Sequence, residues 1–152
     1  MRLDPFYRVT FTTPESWYVE LAGAAGSEGQ AFLIAEGRCE GRLSARYRGA
    51  NYPRQRVDGV VEPDFRGVLE TDDGATITFS WRGYTRPGEG GRHEIVGSIT
   101  HLTGDERYRW LNDRMFALTG EVGPRPDGQG YDVMLEVAEL IWEPVGQDPP
   151  GL

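Results

Sequence analysis

Apolar and polar residues alternate with a period of two along most of the chain, and this pattern constrains the fold most strongly. The clearest example is a pair of runs at 65–71 and 75–81, separated by Asp72, Asp73 and Gly74. Neighbouring side chains of a β-strand point to opposite faces, so a period of two predicts strands. Asp-Gly between two such runs predicts a tight turn, because glycine adopts a positive φ without steric cost. We therefore predict a central hairpin over residues 69–79, with the two aspartates as turn residues.

Further alternating runs predict eight or nine strands joined by short turns. They lie at residues 6–11, 17–21, 31–40, 43–48, 93–101, 114–122 and 131–142. The 21 glycines and 10 prolines suit many turns better than long helices. One short helical turn is predicted at 105–112, with Thr103 as its N-cap.

Strands that follow one another without long crossovers must form a barrel or a sandwich, because open sheet edges invite aggregation. Sequential hairpins favour the barrel. We therefore predict an all-β fold, a single closed antiparallel up-and-down β-barrel. Barrels of about eight strands either fill their interior with side chains or hold one small ligand.

The chain of 152 residues predicts one domain at 1–145, followed by a disordered tail at 146–152. Its single cysteine, Cys39, excludes an intrachain disulfide and a metal cluster built from cysteines. The N-terminus has no apolar run of signal-peptide length, and no stretch reaches the roughly 18 apolar residues of a membrane span. We expect a cytoplasmic protein with no membrane partner.

The net charge of −8 argues against nucleic acid as a partner, because an acidic surface repels phosphate. All 16 basic residues are arginine, so neither a lysine Schiff base nor a lysine-containing phosphate loop can form. The sequence also carries no zinc motif or nucleophile elbow, and we predict no cofactor and no metal. The aromatic content of 11% favours a homodimer.

Three segments resemble the family catalogued as domain of unknown function 3237. The first is Leu-Glu-Thr-Asp-Asp-Gly-Ala-Thr-Ile at 69–77. The second is the glycine-containing segment at 36–43, and the third is Tyr-Arg-Trp-Leu-Asn at 108–112, followed by a strand that ends in Gly120. Their order and spacing resemble the family over residues 3–143.

The resemblance implies a lipocalin-like or calycin-like antiparallel barrel, in agreement with the alternation. It implies no established activity. Similar sequences often carry an Asp-Trp pair where this chain has Asn51 and Tyr52. Any chemistry that depends on that aspartate in related proteins is therefore in doubt here.

Three residues are candidate catalytic groups: Glu36, His101 and Tyr84. Glu36 shares a face with Phe32, where desolvation would raise the pKa of its carboxyl group and suit acid or base catalysis. His101 follows an apolar position and titrates near neutral pH, so it is a second candidate for proton transfer. Tyr84 would support either group. The alternative for the histidine is a hydrogen-bonded structural or surface role.

Five residues are candidate ligand-binding groups: Arg56, Asp64, Arg66, Trp81 and Trp110. Arginine holds carboxylate or enolate oxygens through its planar fork, and tryptophan supplies aromatic surface. The alternative for the charged residues is an ion-pair network at one end of the barrel. The alternative for the tryptophans is core or interface packing. Alternation does not determine which strand face lines the lumen.

Three functions remain open from the sequence. The first is a cofactor-free isomerase, cyclase or lyase that acts on a small, partly apolar molecule through acid and base groups in the lumen. The second is a non-catalytic binder of a small apolar ligand. The third is a dimeric structural or interaction barrel with a filled core. A ligand-sized cavity would exclude the third, and titratable groups within hydrogen-bond reach inside it would favour the first.

Overall fold

The computed structural model describes residues 1–148 and 151, which form ten strands and two short 3-10 helices. The strands are β1 (Arg2–Gly23), β2 (Gly26–Gly41), β3 (Ala45–Asn51), β4 (Arg54–Gln55), β5 (Val61–Glu62), β6 (Asp64–Thr71), β7 (Thr76–Pro87), β8 (His93–Leu102), β9 (Phe116–Pro124) and β10 (Tyr131–Ile141). The 3-10 helices span Glu89–Gly91 and Arg109–Asp113. Within the described residues, no helix is long and apolar enough to cross a membrane.

Eight of the strands close into a barrel in the order β1-β10-β9-β8-β7-β6-β3-β2, and β2 pairs back with β1. All of these pairings are antiparallel, and they confirm the predicted all-β up-and-down barrel. The short strands β4 and β5 form a hairpin that bridges β2 and β7 where β3 and β6 have ended. The wall is therefore continuous at both ends. We call the end with the 72–74 turn the closed end and the opposite one the open end.

The hairpin between β6 and β7 has the predicted turn. Gly74 has a φ of 91°, a conformation that favours glycine. Its N–H donates to the Thr71 carbonyl at 3.0 Å, and the Ala75 N–H donates to the Thr71 hydroxyl at 2.7 Å. The carboxylate of Asp73 accepts hydrogen bonds from the hydroxyls of Thr71 and Tyr108. These contacts confirm that the acidic pair belongs to the turn.

The predicted strands at 6–11 and 17–21 are one strand of 22 residues, so the prediction of two separate strands, with Thr13 and Pro14 between them, is wrong. The register between β1 and β2 instead shifts between Thr12 and Glu15. A β-bulge at this point accommodates one extra residue of β1. Pro14 lies in the bulge, where its missing N–H breaks no pairing with β2, so the strand continues past it. Beyond the bulge, β1 and β2 extend as a two-stranded arm at the open end.

The predicted helical turn at 105–112 is a 3-10 helix at Arg109–Asp113, and Thr103 does not cap it. The Thr103 hydroxyl instead donates to the Thr76 carbonyl at 2.7 Å and accepts from the Asp105 N–H at 3.2 Å. The helix Glu89–Gly91 was not predicted. Of the predicted disordered tail, positions 149, 150 and 152 lie outside the described residues.

Aromatic rings fill the middle of the lumen. The Tyr47 ring stacks on Phe11 and on Phe79, with centroids 5.1 and 4.7 Å apart. The rings of Phe65 and Trp81 stack at 5.1 Å. Gly67 makes room for this layer, because a Cβ atom there would lie 2.6 Å from the Phe79 ring. The layer separates the closed end of the lumen from the open end.

Candidate functional site

The open end of the lumen holds a cavity of about 600 Å³ above the aromatic layer. Phe11, Phe65 and Trp81 form its floor. Its walls are mostly apolar and include Leu33, Val61, Ile95, Val122 and Val133. Small-molecule sites usually occupy roughly 300–1,000 Å³, so the space is large enough for a ligand.

Three buried polar residues, Thr13, Asn51 and Thr85, line this cavity from β1, β3 and β7. The Asn51 side-chain oxygen accepts a hydrogen bond of 3.0 Å from the Asp64 N–H. The Thr13 hydroxyl oxygen accepts one of 3.2 Å from the Tyr131 N–H. Within residues 1–148 and 151, the Thr85 hydroxyl makes no hydrogen bond to protein. These groups are the polar contacts that the inner walls offer.

Side chains from the arm and from the β4–β5 hairpin meet beside the mouth of the cavity. The Tyr18 hydroxyl donates to the Gln55 side-chain oxygen at 3.1 Å. Gly29 makes this possible, because a Cβ atom there would lie 2.1 Å from the Tyr18 hydroxyl. His93, at the start of β8, also lines the cavity and is exposed at its rim.

The lining carries almost no charge. Among the described residues, no arginine, aspartate or glutamate lines the cavity, and His93 is the titratable imidazole at its edge. The same part of the chain contains no cluster of three His, Cys, Asp or Glu residues that could hold a metal ion. The site therefore offers apolar contact, hydrogen bonds and one imidazole at the mouth.

Glu36 lies on the outside of the barrel, and its predicted raised pKa is wrong. Its carboxylate is partly exposed and sits 2.8 Å from Arg46 Nη2 and 2.9 Å from Arg48 Nε. The hydrogen bond from Arg46, followed by the charge of Arg48, lowers the pKa of Glu36 below its usual value. Phe32 and Ile34 share its face, but that face of β2 points outward.

His101 faces the lumen at the closed end, on the other side of the aromatic layer from the cavity. Its Nε2 lies 2.7 Å from the Tyr7 hydroxyl, and its ring packs edge-on against Phe116 at 4.8 Å. Burial lowers the pKa of His101 to about 4. Trp110 packs nearby, edge-on against Phe6 at 5.5 Å. This arrangement matches the hydrogen-bonded structural alternative.

The other predicted groups lie on the outer surface. Tyr84 and Asp64 line a shallow groove outside the sheet. Asp64 Oδ1 lies 3.5 Å from Arg82 Nε and 3.9 Å from Arg66 Nε. Arg56 forms ion pairs with Asp58 and with Glu62, the latter at 3.3 Å. The charged candidates thus form two surface ion-pair groups.

Of the eight residues predicted from the sequence, all of which the structure describes, Trp81 alone lines the cavity. Thr13, Asn51 and Thr85 were not predicted as site residues. Thr85 alternates in phase with Trp81, so the pattern of alternation places it on the same face. A neutral threonine carries no charge that would mark it as a functional residue in the sequence.

Solved structures share this barrel. A protein of unknown function from Clostridium acetobutylicum superposes with a TM-score of 0.77 at 19% identity, over 93% of this chain and 100% of that one. A "beta-barrel like protein" from Acinetobacter baumannii gives 0.69 at 20%, over 90% and 95%. A structure from Penicillium herquei, described as an enzyme, gives 0.62 at 16%, over 90% and 93%. At these identities the likeness shows the fold alone.

No curated protein gives a significant match to the chain. A family model described as "Protein of unknown function (DUF3237)" matches residues 1–140, which include every strand except the last residue of β10. The segments at 36–43, 69–77 and 108–112 that suggested this family all lie within the match. The chain belongs to the DUF3237 family.

Proposed function

We propose that this protein binds one small, largely apolar molecule in the cavity at the open end of its barrel. The observation that carries the proposal is the cavity of about 600 Å³ at the open end of the lumen, with mostly apolar walls and a floor of aromatic rings. Burial of apolar ligand surface there would supply the main driving force for binding. A barrel that serves only as an interaction module would have no need of such a space.

Binding without catalysis fits the chemistry of the walls best. Proton transfer to a buried ligand needs a titratable group within hydrogen-bond reach of it. The His101–Tyr7 pair lies beyond the aromatic floor, and Glu36 lies outside the barrel. Asn51 presents an amide, which hydrogen-bonds but does not exchange a proton as a carboxylate does.

A second candidate function is that of a cofactor-free isomerase, cyclase or lyase. His93 supports it, because an imidazole at the cavity mouth could transfer a proton to a ligand that reaches the rim. The Penicillium herquei protein with the same fold is described as an enzyme. If the protein is an enzyme, His93→Gln abolishes turnover of the ligand and leaves its binding intact. Turnover that survives this substitution rules out His93 as the proton-transfer group.

Mass spectrometry of the natively purified protein tests the proposal directly. We expect a small molecule of defined mass to co-purify at one copy per chain. The uncharged dye N-phenyl-1-naphthylamine should also bind with 1:1 stoichiometry and gain fluorescence. Ala31→Phe fills the cavity mouth and should abolish dye binding. Ala50→Phe is the matched control, because Ala50 is similarly half-buried but does not line the cavity.

Two results would contradict a ligand pocket. One is a wild-type protein that binds neither dye nor any co-purified molecule. The other is dye binding that Ala31→Phe and Ala50→Phe weaken equally, which would locate the dye on the outer surface.

The homodimer and the cytoplasmic location do not depend on the pocket, and both stay predictions from the sequence. The exposed aromatic residues available to a dimer include Trp17, Tyr52 and Trp142. Light scattering that finds a monomer at high protein concentration would refute the dimer.

A further inference from the structure

The orientation of Asn51 determines which of its polar atoms faces the cavity. The Asp64 N–H lies 3.0 Å from the Asn51 side-chain oxygen, and a backbone N–H can bond only to an acceptor. The amide oxygen must therefore point towards Asp64. The amide nitrogen, which only donates, has no acceptor within the described chain. It can therefore donate to a ligand in the cavity that Asn51 lines.

Two hydroxyl groups add to this supply of donors. The Thr13 oxygen already accepts from the Tyr131 N–H, so its remaining proton is available to a ligand. Thr85 is 8% exposed, and its hydroxyl has no partner in the part of the chain that the structure describes. These polar atoms open onto the cavity, so a ligand bound there can accept the hydrogen bonds that they donate.

The charge of the lining limits the ligand further. Residues 1–148 and 151 place no arginine, aspartate or glutamate on the cavity wall, although the chain has 16 arginines. Away from the His93 imidazole at the mouth, a ligand carboxylate or ammonium buried there would lose its hydration without gaining an opposite charge, which is strongly unfavourable. The buried rings of Phe65 and Trp81, stacked on each other with a tilt of 12°, close the floor of the cavity with apolar groups.

We propose that the ligand of this cavity is an uncharged molecule with an apolar body and acceptor oxygens of the carbonyl type, which receive hydrogen bonds from Asn51, Thr85 and Thr13. This inference rests on the proposed pocket and specifies its chemistry. The three donors stand on different strands, β1, β3 and β7, so the ligand presents oxygens on more than one side. The volume of about 600 Å³ corresponds to that of about twenty water molecules at roughly 30 Å³ each, which is room for one small molecule.

A matched series of naphthalenes tests this chemistry by isothermal titration calorimetry. The probes are 2-acetonaphthone, 2-isopropylnaphthalene and 2-naphthoate, which share a ring system and differ in the group attached to it. The ketone should bind about tenfold more tightly than the hydrocarbon, the gain expected from one hydrogen bond to a buried donor. The carboxylate should bind more weakly than either.

Two nearly isosteric variants connect this preference to the named donors. Asn51→Asp keeps an acceptor for the Asp64 N–H but removes the amide donor, and Thr85→Val removes the free hydroxyl. Each should reduce the advantage of the ketone over the hydrocarbon while the hydrocarbon affinity changes little. Thr100→Val is the control, because Thr100 is exposed on the outer face of β8 and lies outside the cavity lining.

The outcomes separate this inference from the proposed pocket. Equal binding of ketone and hydrocarbon, or tighter binding of the carboxylate, would overturn the ligand chemistry and leave the pocket standing. A ketone preference that both variants retain would also overturn it. Failure of all three probes and of N-phenyl-1-naphthylamine to bind the wild-type protein would overturn the pocket itself.

Discussion

The Tyr18 hydroxyl donates a 3.1 Å hydrogen bond to the Gln55 side-chain oxygen and so joins the β1–β2 arm to the β4–β5 hairpin beside the cavity mouth. Both partners line the cavity. The contact is one of the few that tie these two protruding elements together, since β2 and β4 pair at only two positions. It is therefore placed to restrict the exchange of a bound ligand with solvent.

Tyr18→Phe should speed ligand release with little change in protein stability. The variant keeps the ring against Gly29 and removes only an exposed hydrogen bond, so the dissociation rate of N-phenyl-1-naphthylamine should rise by up to about tenfold. Stopped-flow displacement measures this rate. Tyr131→Phe is the control, because Tyr131 also lines the cavity and its hydroxyl makes no hydrogen bond within the described residues. Equal dissociation rates in the two variants would show that the Tyr18–Gln55 hydrogen bond does not slow ligand release.

Gly67→Ala should destabilise the barrel strongly. A Cβ atom at this position would lie 2.2 Å from the Arg48 carbonyl oxygen and 2.6 Å from the Phe79 ring, so both the β3–β6 pairing and the aromatic layer must shift. We expect the free energy of unfolding to fall by about 3 kcal/mol, at the upper end of the cost of overpacking a core. Urea denaturation measures the change. In Gly104→Ala the added methyl group meets no described atom within 4 Å, and stability should be nearly unchanged.

The barrel could be predicted from the sequence because its signals are local. The alternation at 65–71 and 75–81 and the turn at Gly74 specify strands and a hairpin without reference to the rest of the chain. The β4–β5 hairpin escaped prediction, because each of its strands has two residues, too few to display a period. The bulge that carries β1 past Pro14 depends on pairing with β2, which the sequence of one strand does not reveal.

The site was harder to predict because alternation groups residues by face without saying which face points inward. Phe32 is apolar but lies on the outer face of β2. Its ring stacks on Trp17 at 5.5 Å and contacts Tyr52 at 4.8 Å, in an aromatic cluster on the outer surface. That cluster has the same sequence pattern as a core. Glu36, in phase with Phe32, was therefore assigned to an apolar environment that belongs to the other face.

Glu36→Gln should leave ligand binding unchanged, since its carboxylate pairs with Arg46 and Arg48 on the outer surface. Exposed ion pairs contribute little to stability, so the melting temperature should also change little. Dye titration and thermal denaturation measure the two quantities. Loss of binding in this variant, with the melting temperature retained, would mean that Glu36 acts on the ligand after all.

The buried pair of His101 and Tyr7 should make the protein less stable as the pH falls from about 6.5 to about 4. Burial lowers the pKa of His101 from 6.5 to about 4, so the unfolded chain binds a proton more readily than the folded barrel in this window. Its contribution is therefore complete above pH 6.5 and is lost as the pH falls, by up to roughly 3 kcal/mol at 1.36 kcal/mol per pKa unit. The lowered pKa values of Asp58, Asp73, Asp105 and Asp127 affect stability mainly below this window, as each of these groups begins from 3.8. Glu36 begins from 4.5 and adds to the loss at the lower edge of the window, equally in the wild type and in a His101 variant.

His101→Gln keeps a hydrogen-bonding partner for Tyr7 and cannot titrate, so urea denaturation at a series of pH values should give a flatter profile between 6.5 and 4. Parallel profiles for the variant and the wild type would show that another group causes the loss.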